Sequence, residues 1–561
     1  MNIRKLTFVL ALSASLHATG QNPYLPLWEY IPDGEPYVFE DPDCPGQQRV
    51  YVYGSHDNLV SAYCGRDQVV WSAPVDDLTQ WRYDGVIFKS AMGADGRPLT
   101  ADVTADVLFA PDVAEVTGAD GRKEYFLYPN NQAHGREGMV ARSNRPDGPF
   151  HVSNWSTTSP TQCDGVLRFD PAVLVDDDGR VYGYWGFTRS YAAELDPTTM
   201  STVKPGCKIV EDMVPGCRQD TLFRFFEASS IRKIDDKYVF IYSRFTRNGE
   251  FGLPTSNYTL AYAYSDHPLG PWTYGGTIID ARARGTDANG NAIATAVPTG
   301  NTHGSICKID NRWWVFYHRQ TGLNEFSRQA MVAPINVKVE KGRGGRVIIT
   351  EGEVTSEGFC IDGLNPLHRS AAGWACYMLS PKGTTSRFPN KTFSGSYVRP
   401  SRFASSSSAK AGSVATLFDP TNTGASMAGP FNLKEPFCPV VNNTNGSVVG
   451  YKYFNFSHTS RAKDLVLKMR VVPEGIDGSI AIFIDAPSTA QGGQKIGTMH
   501  FSKNAPRQLT ELTTPINGLA GVKGKHPLFF VFQSDSDGRS VCELYDFIFT
   551  EARNAMSTHK Q

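Results

Sequence analysis

Five segments of the sequence share one arrangement, in which a polar or ionisable residue precedes a strand rich in aromatic and β-branched residues. In the last four copies the gap is about ten to thirteen residues, and the first copy carries an insertion. The polar residues are Asp33, Asp112, Asp170, Glu227 and His303. Carboxylic acids in different surroundings are able to take opposite parts in acid–base chemistry. A binding site built from repeats would show one residue type at every position, so this mixed set favours catalysis.

The strands that follow these residues form a repeat with a period of about 57 to 75 residues. Each begins after a polar turn, and no helical periodicity of useful length lies between the copies. This pattern predicts an all-β fold, a five-bladed β-propeller with four strands per blade around an axial channel. The starts of the innermost strands would meet at one end of that channel, which predicts one shared pocket. The five strands are predicted at residues 50–54, 124–128, 181–185, 238–242 and 313–317.

The N-terminus has the pattern of a cleavable export signal over residues 1–20. "MNIRK" is basic, "LTFVLALSASL" is apolar but too short to span a bilayer, and Ala18 and Gly20 fit a cleavage site before Gln21. We therefore expect a periplasmic or secreted protein. Ten cysteines in that setting allow disulfides, with Cys207/Cys217 or Cys44/Cys64 as the pairs that would close short loops.

The charge balance gives no reason to expect nucleic acid or a membrane as partner. The chain has 55 basic and 56 acidic residues, a formal net charge of -1, so no long-range field attracts polyanions. No later segment approaches the length of an apolar membrane helix.

Four segments carry a resemblance to a known family: "LFAPDVAEV", "FDPAVLVDDDGRVYGYWG", "FFEASSIRKIDDKYVFIYSR" and "NTHGSICKIDNRWWVFYHR". Over residues 22–350 the chain resembles glycoside hydrolase family 43, whose five-bladed propellers remove arabinose, xylose or sometimes galactose from plant polysaccharides. The resemblance implies Glu227 as general acid, Asp170 as the carboxylate that orients the acid and modulates its pKa, and Asp33 as general base. Glu35 is the alternative base because it, and not Asp33, precedes a proline. Spacing to the "YVF" strand favours Asp33.

This family works with inversion, and the chemistry explains the three carboxylates. A protonated acid faces the leaving oxygen, and an ionised base holds a water roughly 6.5–9.5 Å away on the other face of the sugar. An ionised Asp170 nearby would raise the pKa of Glu227, and partial burial under Phe225 and Phe226 would add to this effect.

Four further residues are candidates by the same resemblance. His303 would lie under the sugar pocket and contact a cation through water, with a structural Ca²⁺ in the propeller channel or the β-sandwich and no required cofactor. Asp112 and Arg319 would line the sugar subsite, and Trp185 would be a stacking platform. The structural alternatives are a core histidine, a turn carboxylate, a surface ion pair and a core tryptophan.

From residue 351 the rhythm changes. We expect a linker over residues 351–369, an antiparallel β-sandwich of jelly-roll type over 370–555, and a tail over 556–561. Runs such as "LVLKMRV" and "IAIFIDAP" resemble a family 6 carbohydrate-binding module, and "SRFASSSSAKAG" is predicted as a loop inside it. All nine tryptophans lie at or before Trp374. Because tryptophan is the strongest sugar platform, a supporting role is favoured over glycan binding.

These observations predict an exported, monomeric, exo-acting α-L-arabinofuranosidase that acts on plant polysaccharide or oligosaccharide. The alternatives are a β-xylosidase or exo-β-galactanase on the same scaffold and, from another class, a sugar-binding propeller without catalysis.

Overall fold

The computed structural model describes residues 20–57, 62–90, 106–159, 161–296, 300–321, 325–381, 395–399, 438–460, 462 and 464–552. The predicted export signal (except Gly20), the predicted loop at 401–412 and the predicted tail lie outside the described residues. The described chain is built of antiparallel strands, which confirms the all-β prediction. Its short 3₁₀ turns are Glu250–Gly252, Ala372–Trp374, Phe456–His458 and Thr489–Gln491.

Residues 35–349 form five antiparallel sheets in chain order, because each polar turn returns the chain beside the strand it has just left. The first sheet is β1 (Glu35–Glu40), β2 (Gln48–Tyr53), β3 (Asp67–Pro74) and β4 (Arg82–Lys89), and the second is β5 (Asp112–Thr117), β6 (Lys123–Tyr128), β7 (Ala141–Ser143) and β8 (His151–Val152). The third is β9 (Ala172–Val175), β10 (Val181–Trp185), β11 (Tyr191–Leu195) and β12 (Val210–Glu211). The fourth is β13 (Phe225–Ile234), β14 (Lys237–Arg244), β15 (Thr259–Ser265) and β16 (Thr273–Asp280).

After a short hairpin, β17 (Arg284–Thr286) and β18 (Ala292–Ala294), the fifth sheet has three strands. They are β19 (Ser305–Ile309), β20 (Arg312–Gln320) and β21 (Arg328–Ile335), followed by the hairpin β22 (Val337–Val339) and β23 (Val347–Ile349). The five predicted aromatic strands overlap β2, β6, β10, β14 and β20, the second strand of each sheet.

The first strands of the five sheets lie side by side. β5 contacts β9, β9 contacts β13, β13 contacts β19, and β19 contacts β1. Between the first and second sheets, the Tyr37 hydroxyl on β1 donates to Asp112 Oδ1 on β5 at 2.6 Å. Each predicted polar residue stands at or near the start of such a first strand, so this arrangement positions the site.

The remaining strands form two sheets around a separate apolar core. They are β24 (Ser370–Ala371), β25 (Tyr377–Leu379), β26 (Tyr397–Val398), β27 (Val440–Val441), β28 (Val448–Asn455), β29 (Leu465–Pro473), β30 (Gly478–Ile484), β31 (Gln494–Phe501), β32 (Thr510–Pro515), β33 (Lys525–Gln533) and β34 (Cys542–Glu551). One sheet has the order β26-β27-β34-β29-β32, with β24 also paired to β34, and the other the order β25-β28-β33-β30-β31. Alternating side chains of both, such as Leu467 and Ile482, fill one shared core. We call these strands the C-terminal unit.

Cys44, Cys64, Cys207 and Cys217 lie within the described residues as free thiols. Neither of the two disulfides that the sequence allows, Cys207/Cys217 or Cys44/Cys64, is formed. Cys64 is buried beside Arg328, whereas Cys44 is exposed, so the two thiols of the second pair lie in different environments. Among the described residues, no helix is long and apolar enough to cross a membrane.

Candidate active site

One cavity of ≈ 290 Å³ brings together four of the five predicted polar residues, from four different sheets. Asp33 precedes β1, Asp170 precedes β9, Glu227 lies on β13, and His303 precedes β19. The rest of the wall is polar and aromatic, with Tyr63, Cys64, Phe109, Ala110, Gln132, Phe169, Phe187, Phe226, Asn257, Asn301 and Arg328. The size and the mixed wall suit one sugar ring, which presents hydroxyl groups on its rim and C–H groups on its faces.

Asp33 is held as an anion. Its Oδ1 accepts from Arg328 Nη1 at 3.0 Å and its Oδ2 accepts from the Ser55 hydroxyl at 2.5 Å. Burial alone would raise the pKa of Asp33, but Arg328 and His318 outweigh it and hold that pKa well below its usual range. An ionised carboxylate in a pocket is the form that accepts a proton from water.

His318 and Arg328 hold Asp33 and are themselves held. His318 Nε2 donates to the Asn301 carbonyl at 2.8 Å, and its Nδ1 accepts from the Asp33 amide at 3.2 Å. Arg328 also donates from Nε and Nη2 to the two carboxylate oxygens of Asp57, both at 2.8 Å. The guanidinium is thus fixed in a bidentate pair, and its remaining Nη1 is directed at Asp33.

Asp170 has the opposite electrostatic environment. Burial and repulsion from Asp33 raise the pKa of Asp170 to about 7. Its Oδ1 accepts from Asn130 Nδ2 at 2.8 Å, and its Oδ2 accepts from the Ala228 amide at 3.0 Å. Because Ala228 directly follows Glu227, this second bond fixes the backbone at Glu227.

Glu227 lies on a β-bulge. Phe225 pairs with Arg244, Glu227 with Ser243 and Ser230 with Ile241, so β13 has one extra residue on each side of Glu227. Ala228 has φ 70°, in the left-handed region. A bulge re-aims the side chain beside it, which turns the half-buried Glu227 into the cavity.

Aromatic rings surround Glu227 at the cavity mouth. The Phe187 ring centroid lies 5.1 Å from that of Phe226 and 5.0 Å from that of Phe169, and Phe187 is 48% exposed. Exposed rings beside a polar pocket provide an apolar surface for the C–H face of a sugar.

His303 is buried between the cavity and a deeper layer. Its Nδ1 lies 3.8 Å from Asp170 Oδ2 and its Nε2 lies 4.0 Å from Glu35 Oε1. Burial lowers the pKa of His303 to about 4, so the ring is neutral near pH 7. Among the described residues, His303 Nε2 and Glu35 Oε1 have no hydrogen-bond partner.

The same residues would have to hold the predicted cation. Within the described ranges, no three His, Cys, Asp or Glu side chains come together as metal ligands. The residues around His303 do not form a cation site by themselves, so the Ca²⁺ ion stays a prediction and no reaction step is routed through it.

Glu35 and Asp112 lie in the deeper layer, outside the cavity wall. Glu35 Oε2 accepts from Arg232 Nη2 at 2.8 Å, and Asp112 Oδ2 accepts from the Val173 amide at 2.6 Å. Burial raises the pKa of Glu35 to about 7, against the lowering effect of Arg232. The prediction that Asp112 lines the subsite is wrong, because its carboxylate ties the first three sheets together. Asp33, and not Glu35, reaches the cavity.

Trp185 and Arg319 are also placed away from the cavity. Trp185 is 6% exposed and stacks on Tyr191 at 5.8 Å in the core between the second and third sheets, so it is not a platform for sugar. Arg319 is 3% exposed and donates to Gln329 and to the carbonyls of Gly373 and Ala375. Both predictions are corrected for the same reason. Successive residues of a strand face opposite sides, and these two side chains face the packed interior instead of the cavity.

Sequence reasoning missed Arg328, His318, Asn130 and Ser55. Strand alternation contained a signal for His318. In "FYHRQ" the predicted residue Arg319 and its neighbour His318 face opposite sides of the strand, and His318 is the one that reaches Asp33. Arg328 is the first residue of an apolar strand, the position type that singled out the acidic residues.

One known protein family matches more than half of the chain. The model of Glycosyl hydrolases family 43 matches residues 40–340. The chain belongs to glycosyl hydrolases family 43. Its cavity lies within that matched range except for Asp33, which precedes it by seven residues.

Two relatives and one structure illustrate the family 43 likeness. The chain is 38% identical over 335 residues to a "Xylosidase/arabinosidase" of Thermoclostridium stercorarium, covering 56% of this chain and 64% of that protein. It is 28% identical over 320 residues to an "Arabinoxylan arabinofuranohydrolase" of Paenibacillus polymyxa, covering 54% and 45%. The aligned part is thus less than two thirds of either relative. A crystal structure of a family 43 arabinoxylan arabinofuranohydrolase from Bacillus subtilis with cellotetraose is similar at 20% identity and a TM-score of 0.42, covering 94% of this chain and 97% of that one.

Proposed function

We propose that this family 43 protein is an exo-acting glycosidase that removes a terminal α-L-arabinofuranosyl residue with inversion. The observation that carries the proposal is the cavity in which an anionic Asp33 faces the same space as Glu227, with Asp170 bonded to the residue after Glu227. We also propose that the five sheets are the blades of a five-bladed propeller and that the C-terminal unit is a β-sandwich. The neighbouring first strands and the Tyr37–Asp112 bond support the propeller.

The proposed reaction moves two protons, one to the leaving glycosidic oxygen and one from the attacking water. Glu227 donates its proton to the glycosidic oxygen as the bond to the anomeric carbon breaks. Asp33 accepts a proton from the water that attacks this carbon from the opposite face, so the product has inverted configuration. Asp170 fixes the backbone at Glu227, and any negative charge it carries opposes ionisation of the acid. Exchange with solvent then returns both protons to their starting positions.

The sugar is proposed from the relatives' names. Relatives named "Xylosidase/arabinosidase" and "Arabinoxylan arabinofuranohydrolase" favour a pentose, and one named "Beta-xylosidase", from Xylanibacter ruminicola, supports the β-xyloside as second candidate. The single-ring cavity agrees with release of one residue from a chain end or branch. We further propose that the enzyme is exported, which predicts a mature protein that begins at Gln21.

A leaving-group series tests the acid. In Glu227→Ala we expect kcat on arabinoxylan or branched arabinan to fall on the order of 10²- to 10⁴-fold, since a poor leaving group needs the proton. A dinitrophenyl arabinofuranoside needs no protonation, so its kcat falls far less. Glu211→Ala, an exposed glutamate on β12, is the matched control and keeps wild-type rates.

Two further measurements complete the test. Asp33→Asn is expected to lose activity on both substrates, because the attacking water loses its base. Proton NMR of the first-formed sugar is expected to show inversion. Retention, or equal loss on both substrates in Glu227→Ala, contradicts the assigned roles. Parallel assays on aryl arabinofuranoside, xyloside and galactoside decide between the candidate sugars, and binding without turnover on all of them indicates the non-catalytic propeller.

A further inference from the structure

Arg319 is a buried cation whose guanidinium donates to amide oxygens. Its Nε and Nη2 donate to Gln329 Oε1 at 3.1 and 2.9 Å, and its Nη1 and Nη2 donate to the main-chain carbonyls of Ala375 and Gly373. Burial lowers the pKa of Arg319 to about 10. A buried guanidinium is costly unless its donors are satisfied, so the strand that carries Arg319 depends on these carbonyls.

The two carbonyls belong to the C-terminal unit. Ala372 and Ala375 are part of its apolar core, and the Tyr451 hydroxyl of β28 donates to the Ala372 carbonyl at 3.0 Å. The fit at Gly373 is close, since a Cβ there would lie 2.8 Å from Leu27 Cδ1. The segment is therefore rigidly attached to that core.

The strands that carry Arg319 and Gln329 also carry two of the residues that bond to Asp33. Arg319 on β20 pairs directly with Gln329 on β21, and the two share one face of the fifth sheet. Their chain neighbours His318 and Arg328 lie on the opposite face, where they bond to Asp33. A shift of Arg319 or Gln329 is thus passed through one peptide unit to the groups that keep Asp33 ionised.

Two main-chain bonds join the C-terminal unit to the same region. The Met378 amide donates to the Thr295 carbonyl at 2.7 Å, and the Val398 amide donates to the Thr321 carbonyl at 2.9 Å. Thr295 precedes the cavity residues Asn301 and His303, and Thr321 directly follows β20. The C-terminal unit therefore contacts the chain on both sides of the strands that hold Asp33.

We propose that Arg319 is a positioning residue through which the C-terminal unit holds His318 and Arg328 against Asp33. The inference rests on the proposed role of Asp33 as the base. It assigns the C-terminal unit to the catalytic apparatus of the enzyme, as a part that the propeller needs for its full rate.

Full-length Arg319→Met tests the proposal. At a temperature where the variant is folded, we expect kcat on an aryl arabinofuranoside to fall on the order of 10- to 100-fold with a smaller change in KM, since the base is misplaced while the cavity remains. The acidic limb of kcat/KM is expected to move to higher pH, toward the ordinary range of an aspartate, because Arg328 and His318 stabilise the Asp33 anion less well. Arg319→Lys keeps a charge and a donor and is expected to restore part of both.

The control is Arg470→Met, which removes a half-buried ion pair with Asp546 inside the C-terminal unit. It is expected to lower the melting temperature but to leave kcat and the acidic limb unchanged. Should Arg319→Met fail to fold, Gln329→Leu replaces it, since this change removes only one acceptor of Arg319 and is expected to shift the same two quantities by less.

A lower melting temperature with unchanged kcat and acidic limb, in Arg319→Met or in the replacement, overturns the proposal and leaves Arg319 a structural residue. Failure of the proposed function looks different: Asp33→Asn would then retain wild-type activity, whatever the Arg319 variants do.

Discussion

At the scale of single residues, two aspartates of the cavity differ in pKa because different groups surround them. Asp33 and Asp170 are both buried. Arg328 and His318 lower the pKa of Asp33, whereas burial and repulsion from Asp33 raise the pKa of Asp170. One carboxyl is thereby prepared to accept a proton and the other to remain protonated up to about pH 7. Such a division between two like groups is typical of acid–base sites.

The raised pKa of Asp170 predicts how stability depends on pH. The folded state prefers the protonated form, so the contribution is fully present below the unfolded pKa of 3.8 and is lost as pH rises to about 7. Between about pH 4 and pH 8 the wild type should lose on the order of 4 kcal/mol relative to Asp170→Asn, which has no charge there. Urea unfolding at several pH values measures this difference.

The control is Asp177→Asn, at an exposed carboxylate of the following turn. It should follow the wild-type curve at every pH. His303, whose low pKa acts in the opposite direction, has the same surroundings in the wild type and in Asp177→Asn, whereas its contact with the Asp170 carboxylate is lost in Asp170→Asn. Parallel curves for wild type and Asp170→Asn would show that Asp170 ionises without cost.

At the scale of elements, the bulge in β13 positions the acid. The repeat predicted that Glu227 stands at the start of an inner strand, but a bulge is set by pairing with β14, which one strand's sequence does not contain. Ala228 stays at φ 70° because its amide is bonded to Asp170, and this bond offsets the cost of that conformation.

Two substitutions at Ala228 test this element. Valine is β-branched and is disfavoured at positive φ, so Ala228→Val is expected to destabilise the fold by about 2 kcal/mol and to lower kcat about tenfold by moving Glu227. Ala228→Gly accepts this conformation and is expected to keep kcat, with stability equal to the wild type or up to about 1 kcal/mol higher. Urea unfolding and aryl-glycoside kinetics give both numbers. Equal kcat in the two variants would mean that the bulge does not set the position of Glu227.

The same scale shows what sequence predicts here and what it does not. Alternation and turn chemistry located the second strand of all five sheets, and four of the five polar residues at the first strands line the cavity. The wrong predictions concern residues whose role depends on which face of their strand meets the cavity and which meets a neighbouring part of the protein. Trp185 packs between sheets, and Arg319 faces the C-terminal unit while His318 faces Asp33. These choices depend on long-range packing between segments far apart in sequence.

At the scale of the whole molecule, three parts of the chain share one interface. Asn22 in the N-terminal segment donates to the carbonyls of Val332 on β21 and Thr355, at 2.7 and 3.0 Å. Leu27 and Trp28 pack on the core of the C-terminal unit. Residues 354–358, inside the predicted linker, are buried, and Ser356 bonds to Trp374 and Lys452. A buried, bonded connection couples the parts that it joins.

This coupling predicts that the five sheets of residues 35–349 and the C-terminal unit unfold together. All nine tryptophans lie at or before Trp374, so tryptophan fluorescence reports mainly on the five sheets, whereas far-ultraviolet circular dichroism reports on the strands of both parts. Coincident thermal curves are expected for the wild type, because neither part keeps its buried polar groups satisfied without the other. In Arg319→Met the curves should separate, since the loss of the guanidinium removes the bonds to Gly373 and Ala375. Separate curves already in the wild type would mean that the interface is too weak to transmit a constraint to Asp33.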